Sequence, residues 1–98
     1  MATVIVSPTA ADSLARLTLT LSLPEDTKDR FKRSISPLAD FPLLGRELVG
    51  GGYDGLRFIL GPWRWLVITY EHNATVDEVQ ILTIEDARSS NAATNYRA

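Results

Sequence analysis

The chain contains no cysteine, and His72 is its one histidine among 98 residues. Disulfides and thiolate metal sites are therefore excluded, and a histidine-based metal site would have a single ligand to start from. No metal and no cofactor is expected. Nothing in the sequence approaches the roughly 18 consecutive apolar residues of a membrane helix, so no membrane partner is expected either. The opening Met1-Ala2-Thr3-Val4-Ile5-Val6 lacks the basic leader and apolar segment of a signal peptide. These absences point to a soluble, cytoplasmic protein. There is also no basic excess: ten lysines and arginines stand against twelve acids, for a net charge of -2. A dedicated nucleic-acid binder draws most of its affinity from phosphate neutralisation and usually carries such an excess. The global field does not favour RNA, although a local patch could still contact it.

What is present suits one small folded unit. A hydrophobic content of 45% is ordinary for a globular domain, and two cores would each be too small to hold together. A single domain over residues 1–98 is expected, with residues 87–98, small and polar, as a mobile C-terminal tail. Thr3 to Ser7 is a β-branched run and reads as a short buried strand. Ser7-Pro8 then supplies a helix cap followed by proline in the first turn. Ala10, Leu14, Leu17 and Leu21 follow at helical spacing. A second start signal stands at Ser22-Leu23-Pro24-Glu25-Asp26, and its stripe is Phe31, Ile35 and Leu38. The two helices form a hairpin over roughly residues 8–40. Pro37 interrupts it, with Ser36 as a candidate new cap.

After Phe41-Pro42 the periodicity stops. Gly50-Gly51-Gly52 lacks the lysine and hydroxyl of a phosphate-binding loop and reads as a linker. Leu56–Leu60, Trp65–Tyr70 and Val79–Ile84 are three strands with short connections, hence antiparallel hairpins. The fold class is α+β, in the order β-α-α-β-β-β, with the helical hairpin packed on an antiparallel sheet. A two- or four-residue turn at Gly61-Pro62 would set Ile59 opposite Arg64 and Arg57 opposite Leu66. Arg57 and Arg64 would then share the sheet face away from the helices, with Phe58 and Trp65 beneath the helices. Trp63 and Trp65 would point to opposite faces.

These phrases carry a family resemblance. Leu56-Arg57, Gly61, Trp63-Arg64-Trp65-Leu66, then Val79-Gln80-Ile81-Leu82-Thr83-Ile84 and Arg88, resemble the C-terminal half of RelE/ParE toxins. Phe41-Pro42-Leu43-Leu44-Gly45-Arg46 resembles a phrase common on the ParE side. The resemblance implies the RelE/ParE-like fold and a cytoplasmic toxin of a toxin–antitoxin, plasmid-stabilisation system, bound by a cognate antitoxin. ParE-type members poison DNA gyrase; RelE-type members cut messenger RNA on the ribosome. Under the RelE-type alternative, Arg57, Arg64 and Arg88 match positions that contact the reacting phosphate, a role that bidentate guanidinium suits. Two departures stand against that alternative. Val67 occupies the place of a usual tyrosine, and Asp86 lies near the place of a frequent histidine. An ionised aspartate repels phosphate and is no acid near neutrality. Tyr96 is the remaining candidate for the missing acid. A third reading is a non-toxic, partner-binding domain of the same fold.

Plainer roles are equally open to these residues. Arg57 and Arg64 can pair with Glu71 or Glu78 at the surface, and Arg88 with Glu85 or Asp86. Lys28, Lys32 and Arg33 alternate with Glu25, Asp26 and Asp29 as a solvated, self-paired face. His72 falls in an expected turn. Trp63, Leu43 and Leu44 lie outside the helical and strand stripes, and are the candidate anchors for a partner protein.

Overall fold

The computed structural model describes residues 1–48 and 55–88. The glycine linker, Tyr96 and the tail from residue 89 onward lie outside the described residues. Ser7 does cap the first helix, α1 (Pro8–Thr20): the amide of Ala10 donates to its Oγ at 3.1 Å. Its hydroxyl in turn donates to the Leu82 carbonyl at 3.2 Å, which ties the helix start to the sheet. Ala10 and Leu14 are buried, as the stripe requires. The helix ends with Ser22 in the left-handed region, φ 51°. Leu23 N–H reaches Thr18 O at 3.0 Å and Ser22 N–H reaches Leu19 O at 3.4 Å, a Schellman termination. Ser22 thus closes α1 instead of opening the second helix.

That helix, α2 (Thr27–Ile35), runs into a 3-10 turn at Ser36–Ala39. The interruption falls at Pro37 as expected. Ser36 caps nothing, because its hydroxyl turns back to Arg33 O at 3.2 Å. Phe31, Ile35 and Leu38 are all buried.

Among the described residues the sheet has five strands: β1 (Thr3–Val6), β2 (Arg46–Glu47), β3 (Leu56–Leu60), β4 (Leu66–Asn73) and β5 (Glu78–Asp86), in spatial order β1-β5-β4-β3-β2. The pairs among β2 to β5 are antiparallel, whereas β1 runs parallel to β5. The sheet is therefore mixed, and the short β2 has no signal in the sequence. As an edge strand β1 is only half covered, with Thr3 and Ile5 exposed. Thr69 pairs with Thr83 but Tyr70 pairs with Ile81, so Leu82 is an extra residue, a bulge. Ser7 binds the carbonyl of that residue.

The helices cover one face. There Leu66, Ile68, Tyr70, Val79, Ile81 and Ile84 meet Leu14, Phe31, Ile35 and Leu38. β4 is central and buried on both faces: Val67 and Thr69, which alternate with this set, are also buried.

Candidate functional site

The register of the β3–β4 hairpin decides where the candidate arginines go. Ile59 pairs with Ile68 and Arg57 with Tyr70, further along β4 than a tight turn at Gly61-Pro62 would place them. The connection is wide because Trp63 and Trp65 leave the sheet. Gly61 N–H reaches Leu66 O at 2.8 Å and Leu66 N–H reaches Trp63 O at 3.1 Å. Directly opposed residues share a face, so Arg57 lies on the helix side with Tyr70, and Phe58 lies on the other. The expected faces are inverted. Alternation could not choose between them, because both sets along β3 and β4 are apolar.

Arg57 is committed to the backbone of the connector between the 3-10 turn and β2. Its guanidinium donates to Gly45 O at 2.8 Å and Leu43 O at 3.3 Å, and pairs with Glu47 at 3.0 Å. From beneath, the Tyr70 hydroxyl accepts the Gly45 N–H at 2.8 Å. Burial pushes the Tyr70 hydroxyl pKa upward. Glu47 is the partner of Arg57, not Glu71 or Glu78.

Arg64 sits on the β3–β4 connection, outside any strand, exposed and without an ion pair among the described residues. Arg88 is held fast. Its Nε lies 3.0 Å from Asp86 Oδ1 and its Nη2 lies 3.1 Å from Oδ2, a bidentate pair. These bonds hold the Asp86 carboxyl below its usual range and raise the arginine. The same guanidinium lies 4.1 Å from the Trp65 ring centre.

Trp65 is the middle of a ladder. Its ring stacks on Trp63 at 5.5 Å and 10°, so the two indoles share one side instead of opposing each other. Arg30 from α2 lies 5.9 Å from the Trp63 ring centre, and pairs with Asp26 at 2.9 Å. That bond lowers the Asp26 pKa. The sequence contained the ladder's residues but no period that would bring them together.

Arg57 and Arg88 are thus engaged by separate partners, the connector carbonyls and Asp86. Of the candidate anchors, Leu43 and Leu44 are 60% and 57% exposed, as is Phe41 beside them at 63%. Trp63 is half-buried in the ladder. His72 lies within β4, not in a turn, with Nε2 2.9 Å from Asp77. Lys28, Lys32 and Arg33 have no ion pair among the described residues, so the self-paired face reduces to Asp26 with Arg30. One surface was missed in the sequence. Ala11, Ala15 and Leu19 form a second apolar line on α1, and with Val6, Leu14 and Phe31 they line a groove of about 620 Å³ between the helices.

A helical hairpin on one face of a five-stranded, mostly antiparallel sheet, with this connectivity, is the fold of RelE-type toxins. The chain is similar to a chain of the RelBE2 toxin–antitoxin complex of Mycobacterium tuberculosis, with a TM-score of 0.64 and 19% identity over 87% of this chain and 96% of that one. It is similar also to a free E. coli RelE toxin carrying two arginine-to-alanine substitutions, again at 0.64, with 13% identity over 99% of this chain and 96% of that one. No protein-family model and no curated protein matches the sequence. Among the described residues, no helix is long and apolar enough to cross a membrane.

Proposed function

We propose that the chain is the toxin of a type II toxin–antitoxin system, acting in the ParE manner by binding a cellular target such as DNA gyrase, and neutralised by a cognate antitoxin. The observation that carries this reading is that Arg57 and Arg88 are already bonded within the chain. Cleavage beside a 2′-hydroxyl needs cations converging on one phosphate. Here Arg57 is spent on the Gly45 and Leu43 carbonyls, Arg88 is neutralised by Asp86, and Arg64 stands alone. The exposed Leu43 and Leu44, with Trp63, are the anchors offered to a partner protein. One domain over residues 1–98, working in the cytoplasm, belongs to the same proposal.

Three assays test it together. Expression of the chain arrests bacterial growth. The purified protein inhibits gyrase supercoiling while leaving messenger RNA uncut on a programmed ribosome. The product of the adjacent reading frame restores growth, co-purifies and raises the melting temperature, since a ligand of the native state stabilises it by mass action. Ribosome-dependent cleavage abolished by Arg64→Ala would install the RelE-type nuclease reading instead. No growth effect together with no co-purifying partner would remove the toxin–antitoxin reading and leave the fold.

A further inference from the structure

We propose that two copies of this chain join edge to edge through β1, in one antiparallel register, so that their two five-stranded sheets become continuous.

The two edges of the sheet are built differently. An edge strand offers unpaired N–H and C=O groups to any other strand, and proteins guard against this with brevity, charge or proline. β2 is guarded: its two residues, Arg46 and Glu47, are both charged and exposed. β1 is not. Thr3-Val4-Ile5-Val6 is β-branched throughout, and no charged residue occurs before Asp12. Its open side is defined by the ladder to β5. Thr3 N–H donates to Asp77 O at 3.1 Å and Ser7 N–H to Ile81 O at 3.0 Å. The alternate residues, Val4 and Val6, therefore turn their backbone groups outward. Those groups have no partner among the described residues. Apolar side chains gather at the same edge: Met1, Ile5 and Val76 are exposed, and Val76 precedes the Asp77 that holds Thr3.

Charge and hydrogen bonding select the occupant and its register. A two-fold axis brings each charge near its own sign on the other copy. The uncharged stretch before Asp12 therefore suits self-pairing and gives an acidic or basic partner nothing to select. Only one two-fold register uses the outward groups of both valines. Val4 of one copy then stands opposite Val6 of the other, and Val6 opposite Val4, each pair exchanging two hydrogen bonds. Ile5 meets Ile5 at the centre, in the closer, non-hydrogen-bonded kind of pair. Centring on Val4 instead would need the Ala2 N–H, which is already given to Ala39 O at 2.7 Å. Centring on Val6 would need an N–H from Pro8, which has none. In the remaining register each copy leaves the sheet at Pro8, opposite the place where Ala39 occupies the other copy's edge, so the two do not compete. Both outer edges of the dimer are then β2, whose charges stop further addition. The contact is smaller than the roughly 800 Å² per partner of a standard complex, so the dimer is weak and reversible.

The test uses the full chain. Sedimentation between about 10 µM and 1 mM should show the mass rising from 10.8 kDa toward twice that value. Ile5→Lys and Ile5→Glu, at an exposed position, should each weaken the dimer at least about tenfold, because like charges meet at its centre. An equal mixture of the two variants should restore it. The chain has no cysteine, so a single introduced one reports the register. On mild oxidation Ile5→Cys should cross-link at least about tenfold faster than Thr3→Cys, whose two copies would lie roughly 13 Å apart along the strands. Circular dichroism should be the same for every variant, since Thr3 and Ile5 are exposed. A monomer throughout the concentration range would overturn the proposal. A dimer indifferent to Ile5→Lys, or Thr3→Cys linking as fast as Ile5→Cys, would do the same. So would a product of the adjacent frame that shields the Val4 and Val6 amides from hydrogen exchange while the chain alone stays monomeric; the edge would then belong to that protein. Growth arrest is measured separately, so the toxin reading can fail while the dimer stands, and the reverse.

Discussion

At Gly45 the chain passes so close to the sheet that a Cβ would lie 2.5 Å from the Phe58 carbonyl oxygen and 2.8 Å from the Tyr70 ring and hydroxyl. Two of those atoms belong to a buried side chain and one to backbone, so none can step aside cheaply. Gly45→Ala should cost about 3 kcal/mol or more, read as a lower urea midpoint. Tyr70→Phe leaves the Gly45 amide without its acceptor and should cost about 1–3 kcal/mol. The phenol also sets a pH dependence. Its folded pKa is raised above the ordinary value of 10.0, so its contribution is complete below about pH 10. That contribution falls as pH rises from there through the folded value, because the unfolded chain releases the proton first. Wild type should therefore lose stability faster than Tyr70→Phe above pH 10, and parallel curves would refute the argument. Ser22 presents the opposite case, a side chain where none is wanted. At φ 51° it occupies the place that glycine fills in a Schellman ending. Ser22→Gly should raise stability by about 0.5–1 kcal/mol by relieving left-handed strain, measured by thermal melting.

At the level of elements, the Arg30–Trp63–Trp65–Arg88 ladder joins α2, the β3–β4 connection and the end of β5. The Ala87 N–H donates to Trp65 O at 2.7 Å and ties the end of β5 to the connection, whereas no backbone hydrogen bond links α2 to it among the described residues, so Arg30 over Trp63 makes that contact. A stacked indole pair produces an exciton signal in circular dichroism. Trp65→Phe should abolish that signal and destabilise the fold by about 1–2 kcal/mol. Arg88→Ala should keep the signal while shifting the tryptophan fluorescence, because the cation over Trp65 is removed. An exciton signal surviving in Trp65→Phe would show that the indoles do not stack as described. In the ladder the Arg88 guanidinium is already engaged by Asp86 and the Trp65 ring. Asp86→Asn should free its guanidinium, at the cost of the bidentate pair, without creating nuclease activity, since Arg57 remains tied to the connector.

On the scale of the molecule, two apolar surfaces stand at different ends of the sheet. The α1–α2 groove includes Val6 of β1, while Phe41, Leu43 and Leu44 belong to the connector leading to β2, the opposite edge strand. Neighbouring strands lie about 4.8 Å apart, so four spacings separate the edges by roughly 19 Å. One partner segment could cover both only by wrapping around the domain. Two partners could each take one. Leu43→Asp with Leu44→Asp should weaken a wrapping antitoxin and leave the edge pairing through β1 unchanged, a comparison that sedimentation can make on one preparation.

Local chemistry was enough to read much of this protein. The Ser7-Pro8 start, the stripes of Phe31, Ile35 and Leu38, the break at Pro37 and the three long strands all follow from spacing and backbone restriction, which act between residues close in the chain. So did the choice of Leu43 and Leu44 as exposed apolar residues and the pairing of Arg88 with Asp86, while the resemblance of the sequence phrases pointed to the fold. What the sequence could not decide was anything that depends on which of two apolar faces turns inward. β4 is buried on both sides, so alternation along it named no inner face, and Arg57 was placed on the wrong one. The parallel pairing of β1, the two-residue β2, the indole ladder and the second apolar line of α1 arise only when distant segments meet. Register is settled there by packing around Tyr70 and Gly45, and packing has no period to read in advance.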